Sequence, residues 1–173
     1  MTATNVQTAD VVNAILGINE HSPIAELRNR KPDLVRELQD YYLSLFEPTA
    51  SSADAFPVLD RYLVAARVAS HTGSTAVADW YGRLAAEAGA PGEALSLARD
   101  VEQPVTEASA VGAALRHADL LTTRPADARK TDLQALKDAG FTPAGIVSLS
   151  QTIAFVSYQL RLIAGLRAYG GRS

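Results

Sequence analysis

An all-α fold is what the sequence predicts, on three grounds. The chain is rich in alanine, the strongest helix former. Its β-branched residues rarely alternate with polar ones, so the period-two signature of strands is missing. Apolar residues instead recur three and four positions apart, between segments punctuated by proline and glycine. With 173 residues, 47% of them apolar and 20% charged, a single hydrophobic core is expected.

The elements follow in order. Val11, Val12, Ile15 and Leu16 place a short helix over residues 10–16, with Gly17 positioned to end it. Ser22-Pro23 supplies an N-cap followed by a proline at the first helical position, and Ile24 and Leu27 form the apolar side of a second short turn of helix. Pro32 opens a longer helix whose face of Leu34, Val35, Leu38, Tyr41, Tyr42, Leu45 and Phe46 is closed by Pro48. The stretch TASSADA, residues 49–55, reads as a polar connector. Residues 1–50 are thus an amino-terminal helical extension packed on a main unit, residues 51–173.

Pro57 starts the next helix, in which Val58, Tyr62, Ala65, Ala66 and Ala69 face one way until Gly73. Ser74 or Thr75 caps its successor, whose inner face is Val77, Tyr81, Leu84 and Ala88, with Gly89 as terminator. The two form an antiparallel hairpin. A short helix covers residues 93–99, and Thr106 is the expected cap of a helix over 107–121 with Val111, Ala114, Leu115, Ala118 and Leu121 inward. Pro125 ends that region. Leu133, Leu136 and Ala139 make a small helix finished by Gly140. Thr142-Pro143 then begins the longest apolar stretch, with Ile146, Leu149, Ile153, Val156, Leu160 and Ala164 on its core face. That last helix is the expected centre of the domain.

Composition narrows function. A formal charge of −3 leaves no net basic field for a phosphate backbone, so nucleic acid is not an expected partner. No window reaches the ~18 uninterrupted apolar residues of a membrane span, and the start MTATNVQTAD lacks a secretory signal, so a cytoplasmic address and no membrane association are expected. The histidines His21, His71 and His117 are scattered singly, without the spacing of a metal site, and no cofactor is implied. The absence of cysteine removes disulfides, thiolate ligands and every thiol mechanism.

The stretch RYLVAARVASHTGSTAVADWYGRLAAEAGA, residues 61–90, resembles without a gap the signature hairpin of the carboxymuconolactone decarboxylase and AhpD-like alkylhydroperoxidase family. Downstream, ALRHADLLTTRPADARKTDLQALKDAGFTPAGIVSLSQTIAFVSYQLRLIAGL is similar to that family's closing pattern, a helix, a small helix ending in Ala-Gly, then a long helix. The resemblance covers about residues 57–168. The segment from Asp10 to Pro48 looks like the extension of one bacterial branch of such proteins. The resemblance implies an AhpD-like helical bundle that assembles as a homo-oligomer, and the apolar width of residues 144–166 exceeds what one small bundle face requires.

Redox members of that family carry a glutamate, a Cys-x-x-Cys pair and a histidine. Laid on this hairpin, the pattern puts Tyr62 at the glutamate, Ser74 and Val77 at the cysteines, and Tyr81 at the histidine. The spacing survives, since positions i, i+3 and i+7 share a helix face, but the chemistry does not. A serine hydroxyl is too weakly acidic to replace the thiol by helix dipole alone, and valine resolves nothing. Dithiol peroxidase activity is excluded. If the hairpin is like the family's, Tyr62, His71, Ser74 and Tyr81 share a buried polar site able to bind a polar ligand or move a proton. The more common role of such tyrosines is to fill core volume with the hydroxyl satisfied by a neighbour.

No local carboxylate holds His71, which is placed instead at the carboxyl end of its own helix. Trp80 sits one position off the inner face, as a rim or wall residue for a ligand. Arg161, in the middle of an apolar helix, must be paired or solvated; the resemblance implies a structural or intersubunit ion pair, favoured over a ligand clamp because Leu160 and Leu162 offer no second polar group. Arg67 reads as a charge on a solvated face. Three functional readings follow: a ligand-binding or accessory oligomeric protein of this family, beside a small-molecule ligand or an active homologue; a thiol-independent catalyst of the decarboxylase kind using Tyr62, His71, Ser74 and Tyr81; or a non-catalytic helical scaffold.

Overall fold

Local capping chemistry sets the helix boundaries. The computed structural model describes residues 10–19, 21–48, 56–106 and 108–170. Among these residues there are nine α-helices, one 3-10 turn and no strand, so the chain is all-α. Helix α1 (Val11–Leu16) begins at Asp10, whose carboxylate accepts the Asn13 backbone N–H at 2.9 Å, and ends at Gly17 with φ 62°. Helix α2 (Pro23–Asn29) begins at Ser22, whose hydroxyl accepts the Ala25 N–H at 3.2 Å. Then come α3 (Pro32–Phe46), α4 (Val58–His71), α5 (Thr75–Glu87) and α6 (Gly92–Arg99). The chain closes with α7 (Ala110–Thr123), α8 (Lys130–Asp138) and α9 (Pro143–Gly170).

One cap falls elsewhere than expected. Ser109, not Thr106, caps α7, its hydroxyl accepting the Gly112 N–H at 3.1 Å. The reason is tertiary: Val105 is buried at 8% exposure, so the chain first dips into the core and turns helical only after it has come out. The expected connector TASSADA and the helix start at position 107 lie outside the described residues.

The centre of the bundle is α4 rather than the last helix. From Arg61 to Ala69 every residue but Tyr62 is buried, which is the pattern of a helix surrounded on all sides. Ala65, Ala66 and Ala69 keep its girth small, so α3, α5, α6, α7 and α9 all pack on it. Across the turn Thr72–Ser74, with Gly73 at φ 70°, α4 and α5 pack along their lengths as an antiparallel hairpin. Residues of α1 and α3, including Val12, Leu38 and Phe46, belong to the same core cluster as the main unit.

Periodicity overstates some faces. Leu34 and Tyr41 are 60% and 40% exposed, Leu133 is exposed on α8, and Ala88 and Ala164 face solvent. In α2 the buried pair is Ala25 and Arg28, with Ile24 and Leu27 half-buried. A stripe wider than the groove it enters leaves its edges in water. Helix α9 is long and apolar enough, by length and composition alone, to cross a membrane. A core helix passes the same test, and residues of α9 from Gly145 to Leu166, including the polar Thr152 and Gln159, are buried against the bundle.

Buried guanidinium groups tie the helices together. Arg28 of α2 grips Asp10 at 2.5 and 2.9 Å and so docks α1. Arg61, 1% exposed, donates to the Leu45 carbonyl at 2.5 Å and the Phe56 carbonyl at 2.7 Å, joining the end of α3 to the start of α4. Charge-assisted bonds of this kind contribute more than neutral ones, and their loss leaves buried carbonyls without donors. The Arg61→Ala chain is expected to lose about 3 kcal/mol or more of stability in urea denaturation; an unchanged midpoint would show that the latch contributes nothing.

Candidate functional site

The hairpin carries two chemically different regions. The first is aromatic and filled. Tyr81 is fully buried on α5, and its hydroxyl donates to Gln159 Oε1 of α9 at 2.8 Å. Tyr62 of α4 stacks on Phe46, with centroids 5.3 Å apart and planes 4° from parallel, and its hydroxyl donates to the Phe46 carbonyl at 3.4 Å. Tyr42 and Tyr81 each lie 5.1 Å from the same Phe46 ring. The fold therefore brings Tyr62 and Tyr81 into one cluster, but as core volume. Val77, at the second cysteine position of the resemblance, is completely buried beside them. Burial, then mutual repulsion with the neighbouring phenols, raises the pKa of Tyr42 and Tyr81 above the ordinary phenol range, and burial raises Tyr62 likewise.

The second region is ionic. Arg67, expected on a solvated face, is 2% exposed and forks onto Asp119 of α7, Nε to Oδ1 at 2.7 Å and a terminal nitrogen to Oδ2 at 2.9 Å. It also donates to the carbonyls of Leu97 and Asp100, at 2.5 and 2.7 Å. His71 does have a carboxylate: its Nε2 lies 2.6 Å from Asp119 Oδ1. That partner is 48 residues away in sequence, which is why local spacing did not reveal it. The hint available in the sequence was Asp119 itself, a carboxylate four positions after the inward Leu115, which requires a cation when buried.

Beside this ionic cluster a cavity of about 520 Å³ opens between the α4–α5 turn, the end of α7 and the second half of α9. Its polar lining includes Ser74, Thr122, Ser157, Arg161 and Arg167; Leu160 and Ile163 supply apolar wall. Ser74 is the N-cap residue of α5, yet its side chain makes no capping bond. The Thr122 hydroxyl is buried without a hydrogen-bond partner. Arg161 makes no ion pair among the described residues: it is exposed and donates to the Ser157 carbonyl of its own helix at 2.8 Å. The second polar group sought for it beside Leu160 and Leu162 comes from a turn or more away, in Ser157 and Arg167.

The expected site residues are therefore divided. Tyr62 and Tyr81 share the aromatic cluster, Ser74 and Arg161 share the cavity, and His71 belongs to the Asp119 ion cluster. Trp80 is half-buried with the Arg83 guanidinium 5.0 Å from its ring centroid, and it is not part of the cavity wall. Its indole N–H, although near enough to Tyr42 to favour that phenol's ionised form, makes no hydrogen bond of acceptable geometry. His117 is a core residue, 6% exposed, whose pKa burial pushes down despite the opposing effect of Asp132. Among the described residues no group of His, Asp and Glu is arranged to hold a metal ion. No protein-family model matches the chain, nor does any curated protein match it in sequence.

Two outcomes follow. The buried phenols keep their protons in the fold at pH values where the unfolded chain, near the ordinary value of 10.0, loses them. Their contribution is complete below that value and is lost as pH rises towards the raised folded values. The urea midpoint should fall between about pH 9 and about pH 11, tyrosinate absorbance should appear together with loss of helical signal, and Tyr81→Phe should flatten the slope. Asp119→Asn should cost about 3 kcal/mol, since it strands Arg67, against about 1 kcal/mol for His71→Asn; equal losses in denaturation would contradict the ranking.

Proposed function

We propose that this chain is a ligand-binding, oligomeric domain related to the carboxymuconolactone decarboxylase and AhpD-like proteins, without their thiol chemistry. One observation carries the reading. Ser74, which stands at the first cysteine position of the resemblance, borders a cavity of about 520 Å³, whereas Val77 and Tyr81 farther along the same helix are completely buried. A frame that keeps an opening where the reactive group would stand, but fills the positions behind it, suits binding better than turnover. The hydroxyls of Tyr81 and Tyr62 are engaged inside the fold, with Gln159 Oε1 and the Phe46 carbonyl respectively, so neither phenol points a proton at a substrate in this arrangement. Exposed Leu34 and Tyr158, beside half-buried Val35 and Leu162, give α3 and α9 an apolar face suited to a second copy of the chain. A cytoplasmic address accords with this reading.

The second reading, a thiol-independent catalyst, has one observation in its favour. The Asp119–His71 contact is the orienter–base half of a nucleophilic triad, and Ser74 lies three residues beyond His71. Ser74 donates no hydrogen bond to that histidine, however, and the binding reading is preferred.

A thermal-shift screen of small metabolites on the purified full chain distinguishes these. A ligand at a hundredfold excess over its Kd stabilises by about 2.7 kcal/mol, a shift of about 5–10 °C. The same ligand should leave Ser74→Trp, whose indole occupies the cavity mouth, unshifted. A shift kept in full by Ser74→Trp would place binding elsewhere, and chemical conversion of the ligand by the wild-type chain would favour the catalytic reading.

A further inference from the structure

We infer that the cavity bordered by Ser74 takes an amphipathic organic anion, its acidic head held between Arg161 and Arg167 of α9. This rests on the binding reading above and names the class of ligand. The first support is charge. Among the described residues Arg28, Arg36, Arg67 and Arg99 each pair with an aspartate. Arg161 and Arg167 do not, although the chain carries an excess of acidic residues, and unlike the other arginines without an ion pair, such as Arg30, Arg83 and Arg124, these two border one cavity. Arg161 gives one bond to a carbonyl of its own helix, and Arg167 has no hydrogen bond or ion pair among the described residues. Among the described residues no carboxylate lines the cavity that both of them border. Two guanidinium groups bordering one space, with no carboxylate among the described residues to meet them, are a receptor for an anion from outside.

Geometry agrees. Arg167 follows Arg161 by six positions, about 9 Å along the helix axis, and the residue midway between them, Ala164, adds only a methyl to the wall. Two long side chains based that far apart can close on a single carboxylate or phosphate from either side. Hydroxyl donors stand opposite. The Thr122 Oγ1 is buried with no partner, and Ser74 begins α5 with its side chain uncommitted. The first turn of α5 holds no acidic residue to offset its positive end.

The remaining wall defines the rest of the ligand. Leu121, Leu160 and Ile163 line the cavity, and a volume of about 520 Å³ is far larger than a bare inorganic ion. It lies within the range of about 300–1,000 Å³ common to sites for small organic molecules. An apolar body with one acidic head matches both halves of the lining.

The test uses isothermal titration of the purified full chain with octanoate, octyl phosphate and neutral octanol. At least one of the two anions should bind saturably and at least about tenfold more tightly than octanol, the preferred one telling carboxylate from phosphate. Arg161→Gln and Arg167→Gln, both at exposed positions where the fold tolerates change, should each weaken that binding about tenfold or more. Ser74→Trp should abolish it. Octanol binding as tightly as the better-bound anion, or anion binding unaltered by both arginine substitutions, overturns the inference. If such charge-blind binding is still lost in Ser74→Trp, the cavity remains a binding site and only the anion assignment falls. If none of the three probes binds, the anion assignment falls as well, and neutral metabolites in the thermal-shift screen decide the cavity on their own.

Discussion

A guanidinium at the middle of the most buried helix is the constraint from which the arrangement of the bundle follows. Arg67 lies between Ala66 and Val68 on α4, and all three are within 2% of complete burial. A charge so placed is tolerated only if every donor finds an acceptor. The acceptors are the two oxygens of Asp119 and the carbonyls of Leu97, Asp100 and Gln103. One side chain thereby sets where α7, the last turn of α6 and the loop after it must sit against α4. Asp119 passes the same constraint to His71, and so to the end of α4 and the turn that borders the cavity. Six residues earlier on the same helix, Arg61 does the equivalent for the end of α3.

The hairpin consequently has an interior that is full and a margin that is open. Phe46 draws Tyr42, Tyr62 and Tyr81 around itself, and Gln159 satisfies the most buried of the three hydroxyls. Such a cluster stabilises by area and ring geometry and leaves no room for a reacting molecule. Ser74, at the amino end of α5, escapes this packing because the left-handed Gly73 turns the chain outward just before it. Along α5 the deeper positions, Val77 and Tyr81, belong to the core and Ser74 at its start belongs to the cavity.

Much of this was legible in the residues. Asp10, Ser22 and Pro143 mark helix starts, and Gly17, Gly73, Gly89 and Gly140 mark ends, each with positive φ. Where reading failed, the cause was an interaction beyond one or two helical turns. Thr106 and Ser109 are both capping residues, with serine the somewhat stronger, and the burial of Val105 also favours the later start. Residues 143–170 have the longest apolar run, yet α4 takes the centre because its alanines admit neighbours on every side while α9 leaves Val147 and Tyr158 in solvent. Arg67 looked like a surface charge because its partner lies 52 positions downstream.

The sequence by itself determined the helical class, nearly all of the helix limits, the hairpin and the absence of sulfur chemistry. These depend on backbone groups within about four residues of the side chain that serves them, or on composition alone. Tertiary structure alone decided which helix is central, which arginines are buried and paired, and that Arg161 shares its cavity with Arg167 and Ser74. Those outcomes turn on helix packing between segments far apart in the chain, where the desolvation cost of a charge depends on which neighbour arrives to meet it.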